Sequence, residues 1–164
     1  MIHNVTEMLE TNSYVRCWCV DFSKAFDIVD HNILSAKLAK LQIPSQIFHW
    51  LLSFLTGRTQ HVKVGTSISE RPINRGTIQG SGIGPTDYII MASDLRALSQ
   101  TTNELFKYAD DIILLVPENT FASLEDEFRS LKQWIESNKR ILNLLKTKEN
   151  VIDLILASIL RMHL

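Results

Sequence analysis

The stretch FKYADDIILLV, residues 106–116, places two adjacent acids, Asp110 and Asp111, between apolar and β-favouring residues. This pattern predicts a β-hairpin with both acids at its turn. Charged groups beside an apolar core cost free energy unless something compensates them, and a divalent metal ion is one such compensator. A plain hairpin turn, where Asp is common, is the alternative. The pair alone does not decide between the two.

A third acid stands at the end of another apolar run. Residues 14–22 alternate between two sets of side chains that both favour β-structure, which predicts a mostly buried strand ending near Asp21. Cys17 and Cys19 lie two residues apart in this run, so both point to one face of the strand. They are therefore predicted to be reduced core residues and not a disulfide.

The remaining elements follow from apolar spacing and from Gly, Pro and capping residues. We predict a helix capped by Asp30, a helix over residues 45–55, a hairpin around Gly65-Thr66, a helix from Pro85 to about Leu98, a helix with an apolar stripe at 124–135, and a final pair of short strands between residues 142 and 155. This order of elements contains few regular βαβ units. It predicts an α+β fold, with a small antiparallel sheet covered by helices on one face.

Length and composition fit one globular domain. The chain has 164 residues, of which 45% are hydrophobic and 21% charged. The net charge of -1 does not favour a nucleic-acid partner, but basic residues concentrate between Lys132 and Lys148, either as a binding surface or as a solvated face. No signal peptide or membrane-spanning stretch is evident. We expect an intracellular protein, nuclear or cytoplasmic, that is not secreted and has no membrane partner.

Three segments in a fixed order carry a resemblance to a known family. VDFSKAFD (20–27), RGTIQGSGIGP (75–85) and YADD (108–111) resemble motifs A, B and C of reverse transcriptases. DIVDH (27–31) and GRTQ (57–60) resemble the jockey-like group of non-LTR (LINE-type) retrotransposons, and residues 142–148 are similar to motif D of that group. The resemblance extends from about His3 to Ile152. Each segment is weak evidence alone, but the ordered set is specific.

The resemblance implies a polymerase palm from which fingers and thumb are truncated. On this basis residues 1–152 are the partial palm domain and residues 153–164 are a divergent tail. The implied activity is RNA-directed DNA synthesis, which joins deoxynucleoside triphosphates to a DNA primer on an RNA template. The oligomeric state is left open.

The resemblance also implies roles for the acids. Asp21 and Asp110 bind two Mg²⁺ ions, with Mn²⁺ as an alternative, while Asp111 assists and the backbone carbonyl of Phe22 supports the first ion. Lys146 matches the lysine that protonates the leaving pyrophosphate. Lys148 nearby, or simple solvation of both lysines, is the alternative.

Further residues are implied to contact the nucleotide and the nucleic acid. Phe26 matches the aromatic residue that excludes a ribose 2′-hydroxyl, and Gln79 and Gly80 match the pair that contacts the nucleotide and the template base. Arg58 and Arg75 are candidates for the nucleic-acid backbone, with surface solvation as an equal alternative.

Two other functions stay open. One is a catalytically inactive retroelement remnant that at most binds nucleic acid. It is favoured by the truncation and by Asp87, which stands where the family has an apolar residue. If Asp87 is buried without a partner, the cost is several kcal/mol as an order of magnitude. The other is an RNA polymerase palm, which Phe26 disfavours.

Overall fold

The alternating apolar run of the sequence forms the central strand of the structure. The computed structural model describes residues 1–156, and within them eleven helices and strands follow one another. Their bounds are α1 (Ile2–Leu9), β1 (Tyr14–Val20), α2 (His31–Leu38), α3 (Ser45–Leu55), β2 (Thr59–Val64), β3 (Ser67–Pro72), α4 (Gly84–Met91), β4 (Glu104–Tyr108), β5 (Asp111–Pro117), α5 (Leu124–Ser137) and β6 (Lys148–Asp153). They form two compact units: the helical unit, Lys24–Asp94, and the sheet unit, which contains the described residues before and after it.

The sheet unit is built on four antiparallel strands in the order β4-β5-β1-β6. Trp18 of β1 lies opposite Leu114 of β5 on one side and Glu149 of β6 on the other. β1 is therefore hydrogen-bonded along both edges, and its Val15 is fully buried. This arrangement confirms the predicted α+β class with a small antiparallel sheet.

The prediction that helices cover one face of the sheet is wrong for the sheet unit. On one face, a buried cluster joins β1, β5 and β6 to Val5 and Leu9 of α1. On the other face, Trp18 of β1 contacts Phe128 of α5, with ring centroids 5.1 Å apart. The physical reason is that β1 carries apolar side chains at both sets of alternating positions. Each face therefore needs a cover to exclude water.

The helical unit follows the sequence signals closely. Asp30 caps α2 by accepting hydrogen bonds from the backbone N–H groups of Asn32 (3.0 Å) and Ile33 (3.2 Å), as predicted. α2 packs against α4, and Leu34 and Leu38 are completely buried there. β2 and β3 pair as an exposed hairpin around Gly65-Thr66.

Two element boundaries differ from the prediction. α4 ends at Met91 and not near Leu98, because Lys37 Nζ lies 2.5 Å from both the Met91 carbonyl and Asp94 Oδ1. The buried ammonium group of Lys37 donates a hydrogen bond to the Met91 carbonyl, which a further helical turn would use as the acceptor of a backbone hydrogen bond. Between residues 142 and 153 the structure has one strand, β6, and a single β-bridge from Leu142 to Phe22. Most of the predicted tail, residues 157–164, lies outside the described residues.

Candidate active site

The predicted acids lie at one end of the sheet unit. β1 and β5 are antiparallel, and their register ends with Val20 opposite Ile112. Asp21 directly follows Val20, and Asp111 directly precedes Ile112. Adjacent antiparallel strands that end in register bring their terminal residues to the same edge. The sheet therefore places Asp21 beside the β4–β5 turn that carries Asp110.

That turn carries Asp110 but not Asp111, whereas the sequence predicted both acids in the turn. Tyr108 pairs with Asp111, so the turn consists of Ala109 and Asp110, while Asp111 is the first residue of β5. Ala109 has a φ of 51°, in the left-handed region that residues with a Cβ adopt at a cost of about 1 kcal/mol. A two-residue hairpin turn demands such a conformation. Asp110 is consequently held at the tip of the hairpin in a fixed backbone geometry.

The backbone of Asp21 is held by a segment more than 120 positions later in the chain. Its N–H donates to Thr147 Oγ1 at 3.3 Å, and its carbonyl accepts from the Asn143 N–H at 2.9 Å. Lys146 lies in the turn between these two contacts and its side chain is exposed. Asn143 and Thr147 had no predicted role, and their only sequence signal was their place in the motif D-like segment.

Phe22 is fixed by its ring. Phe22 is only 3% exposed. The centroid of its ring lies 6.1 Å from the centroid of the Trp134 ring, and Arg140 Cζ lies 5.7 Å from the same Phe22 centroid. The bridge to Leu142 uses the Asp21 carbonyl and the Ser23 N–H. Because carbonyl directions alternate along an extended chain, the Phe22 carbonyl points away from that bridge. This is the carbonyl assigned to metal support.

The donor chemistry of this edge suits a hard divalent cation, since carboxylate and carbonyl oxygens are what Mg²⁺ prefers. Asp21 and Asp110 are partly buried and Asp111 is exposed. Within residues 1–156, no group of three or more His, Cys, Asp or Glu side chains is already gathered closely enough to hold an ion. The strands thus bring the three acids to one edge, without a preformed side-chain cluster. Their assignment stays a prediction.

In the helical unit, the residues predicted to contact the nucleotide share one cavity. Phe26, Gln79 and Gly80 line a space of about 370 Å³. The Phe26 ring packs on Tyr88 at 4.6 Å between centroids, and Gln79 Nε2 donates to Asp27 Oδ1 at 3.0 Å. Gly80 has a φ of 80°, which favours glycine at this point of the loop. The fold brings these three residues together, and their roles stay predictions.

Comparison with known proteins decides the family. The model of the family described as reverse transcriptase (RNA-dependent DNA polymerase) matches residues 1–151. The chain belongs to the reverse transcriptase family. It is 33% identical over 153 positions to the RNA-directed DNA polymerase from mobile element jockey of Drosophila melanogaster, covering 86% of this chain and 17% of that protein. It is also 33% identical to the putative 115 kDa protein in type-1 retrotransposable element R1DM of the same fly, over 90% of this chain and 14% of that protein.

These relatives confirm the resemblance to jockey-like elements, and this reverse transcriptase chain spans only about a sixth of their length. Solved structures confirm the palm fold. Apo telomerase from Candida tropicalis, truncated from its C-terminal domain, has a TM-score of 0.69 at 17% identity, covering 92% of this chain and 34% of that one. The RNA-dependent RNA polymerase of a human picobirnavirus has a TM-score of 0.59 at 21% identity, covering 92% and 30%.

Two arginines of this reverse transcriptase palm, Arg58 and Arg75, line a second cavity of the helical unit, of about 500 Å³. In the described part of the chain, no helix is long and apolar enough to cross a membrane. The reverse transcriptase family uses divalent metal ions in general.

Asp87 is the most unusual polar group of this reverse transcriptase palm. It is 1% exposed, and neither of its carboxylate oxygens has a hydrogen-bond partner. Burial raises its pKa to about 6, and the positive charge of His31 partly offsets this effect. Asp87 stands at a position where the family has an apolar residue, which indicated that its side chain could be buried. The structure shows that the carboxylate does lie in the apolar interior.

Proposed function

We propose that this chain is the catalytic palm of an RNA-directed DNA polymerase from a non-LTR retrotransposon. The primer 3′-hydroxyl attacks the α-phosphate of a deoxynucleoside triphosphate, a new phosphodiester bond forms, and pyrophosphate leaves. The observation that carries this proposal is the position of Asp21 and Asp111 at the same end of adjacent strands, with Asp110 in the joining turn. Carboxylates at one sheet edge are the oxygen ligands that a divalent cation takes in proteins, and nucleotidyl transfer supplies a use for such a cation.

Asp21, Asp110 and Asp111, with the Phe22 carbonyl, would hold two Mg²⁺ ions, and Mn²⁺ fits the same oxygen donors. When bound, such ions stabilise the negative charge that develops on the attacking and leaving oxygens. The protein's own contribution is to fix the acids in place. Backbone bonds from Asp21 to Asn143 and Thr147, and the Ala109 turn under Asp110, do so before any ligand arrives.

Other residues orient the substrates. Phe26 packs beside the sugar and leaves no room for a 2′-hydroxyl, while Gln79 and Gly80 contact the nucleotide and the template base. Their common cavity supports this assignment. Lys146 donates a proton to the pyrophosphate oxygen as it leaves, and its position in the segment bonded to Asp21 favours it over Lys148, which is part of β6. RNA template and DNA primer are the partners.

A chimera tests the proposal. Residues 1–151 replace the matching segment of the jockey polymerase, and primer extension on an RNA template is measured with deoxynucleotides and Mg²⁺. We expect extension, and a loss of roughly 10³-fold in Asp110→Asn and Asp21→Asn, since each ion contributes several kcal/mol to the transition state. Glu136→Gln, an exposed carboxylate of α5, is the matched control and keeps full activity. Equal primer extension by the Asp110→Asn chimera and the unmutated chimera would contradict the assigned chemistry.

A second function, nucleic-acid binding without catalysis, is favoured by the buried, unpartnered carboxylate of Asp87. Such a group weakens the palm and is expected where selection for polymerase activity has ended. The same chimera separates the two functions. A folded chimera that binds primer and template but extends no primer supports the binding function.

A further inference from the structure

The larger cavity of the helical unit is a site that the proposed chemistry does not use. It has a volume of about 500 Å³ and lies among the end of α3, the start of β2 and residues 73–78. Cavities of roughly 300 to 1,000 Å³ are typical of small-ligand sites, so one nucleotide fits this space. It shares Thr77 and Ile78 with the cavity of Phe26, Gln79 and Gly80. An occupant would therefore be the neighbour of the nucleotide bound there.

One wall of this cavity is a stacked pair. Arg58 Cζ lies 4.5 Å from the centroid of the Phe54 ring, and Arg58 Nε donates to the Phe54 carbonyl at 2.7 Å. Phe54 and Arg58 both line the cavity. The hydrogen bond and the ring together hold the guanidinium in one orientation. A planar cation held in this way is a stacking surface for an unpaired nucleobase.

A second cation and a set of polar groups complete the lining. Arg75 Nε lies 4.0 Å from Asp30 Oδ2, and the Arg75 side chain is still 55% exposed. It can therefore pair with a phosphate without leaving its position. The Asp27 carboxylate already accepts a hydrogen bond from Gln79, which reduces its repulsion of an anion. Thr59 and Gln60 add donors and acceptors for the edge of a base.

The floor of the cavity is rigid. The Gly76 N–H donates to the Val29 carbonyl at 2.8 Å, and the Gly76 carbonyl accepts from His31 Nε2 at 2.7 Å. A Cβ at position 76 would lie 2.8 Å from the Asp27 carbonyl oxygen, so only glycine allows this close approach. The cavity is thus formed before a ligand binds, which lowers the entropic cost of binding.

From these contacts we propose that the cavity binds one unpaired nucleotide of a single-stranded nucleic acid. Its base stacks on the Arg58–Phe54 pair and its phosphate pairs with Arg75. The inference shares with the proposed function only the assumption that nucleic acid is the ligand, because it involves none of the three aspartates. The duplex form is excluded from this site, since a paired base cannot leave its stack without unpairing.

The test uses the 164-residue chain and single-stranded 12-mers of RNA and of DNA, each with a 2-aminopurine near its centre. Stacking quenches the fluorescence of 2-aminopurine, and anisotropy of an end label reports binding. We expect quenching by the parent chain, a loss of affinity of roughly 5- to 100-fold in Arg58→Ala, and little rescue by Arg58→Lys, which keeps the charge but not the plane. Arg75→Ala weakens binding, and Arg75→Lys restores most of it.

Arg129→Ala is the matched control, because it removes an exposed arginine from α5 of the sheet unit. Quenching with RNA alone assigns the cavity to a template strand, and quenching with DNA alone assigns it to a primer strand; both outcomes support the proposal. It is overturned if neither is quenched, if Arg58→Ala behaves like Arg129→Ala, or if Arg58→Lys binds like the parent. Asp110→Asn should leave quenching intact, so failure of the polymerase assay and failure of this one are distinguishable.

Discussion

Asp87 lowers the stability of the folded chain by an amount that depends on pH. Its carboxyl group is buried without a hydrogen bond, and burial raises its pKa from 3.8 to about 6 in the folded chain. A raised folded pKa means that the folded state holds the proton more tightly than the unfolded state. The resulting stabilisation is fully present below the unfolded pKa and is lost as pH rises through the folded value.

Asp87→Asn is therefore expected to unfold at a higher urea concentration than the parent at pH 8, with a free energy of unfolding that is higher by on the order of 2 kcal/mol. The two chains should differ little at pH 4, close to the unfolded pKa of 3.8. The amide keeps the shape of the side chain and removes the charge. Glu136→Gln, which removes an exposed carboxylate of α5, is the matched control. Parallel profiles of parent and Asp87→Asn between pH 4 and 8 would contradict this account.

Phe26 makes a second prediction, which follows from its place in the nucleotide cavity. Removing the ring in Phe26→Ala opens space beside the sugar. In the jockey chimera we expect the ratio of ribonucleotide to deoxynucleotide incorporation to rise at least about tenfold, the usual value of one well-packed group in a specificity pocket. Phe121→Ala, which removes an 87% exposed ring, should leave the ratio unchanged. An unaltered ratio in Phe26→Ala would favour an RNA polymerase palm.

The β4–β5 hairpin concentrates backbone strain at the position of the acids. Ala109→Gly removes the Cβ that makes the left-handed φ of 51° sterically unfavourable. We expect the free energy of unfolding to rise by about 0.5 to 1 kcal/mol. Ala36→Gly, at an exposed position inside α2, is expected to lower it by about 1 kcal/mol. Urea titrations of both variants measure the difference, and a loss in both would show that Ala109 is not strained.

The junction of residues 26–31 with residues 74–77 depends on Gly76. Gly76→Ala introduces a Cβ at 2.8 Å from a backbone oxygen, at a φ of 86°. The expected loss of stability is roughly 2 to 4 kcal/mol. Gly82→Ala, whose new methyl group would meet no other atom within 4 Å, is expected to change stability by less than about 0.5 kcal/mol. Similar midpoints of thermal unfolding for the two variants would refute the close packing of this junction.

Which elements were predictable depends on whether their cause is local. The Asp30 cap and the Gly65-Thr66 turn are encoded within a few residues, so α2 and the β2–β3 hairpin lie where the sequence places them. The end of α4 is set by Lys37, which lies 54 positions away and gives no local signal. The candidate site also combines local and distant causes. Apolar runs predict the strands next to Asp21 and Asp110, but the hydrogen bonds from Asn143 and Thr147 to Asp21 arise from tertiary packing and have no local signal.

Across the whole chain, acidic and basic residues nearly balance, with 17 Lys and Arg against 18 Asp and Glu. Nucleic-acid affinity must therefore come from a few positioned cations and not from a general positive field. For single strands, we expect log affinity against log salt to fall with a shallow slope, between about -1 and -3, since each neutralised phosphate contributes about -0.7. Anisotropy titrations from about 50 to about 300 mM NaCl measure it. A slope steeper than about -5 would indicate a broad basic surface.

The order of strands in the sheet sets when the acidic edge is completed. In the chain β1 precedes both of its hydrogen-bonded neighbours, β5 and β6, and the contacts that hold Asp21 come from residues 143 and 147. During synthesis on the ribosome, both edges of β1 stay unpaired until β5 emerges, and one edge stays unpaired until β6 emerges. Long-range pairing of this kind makes folding slow and leaves the nascent chain open to aggregation. A ribosome that stops before residue 143 releases a chain that contains all three aspartates but lacks the two residues that hold the backbone of Asp21.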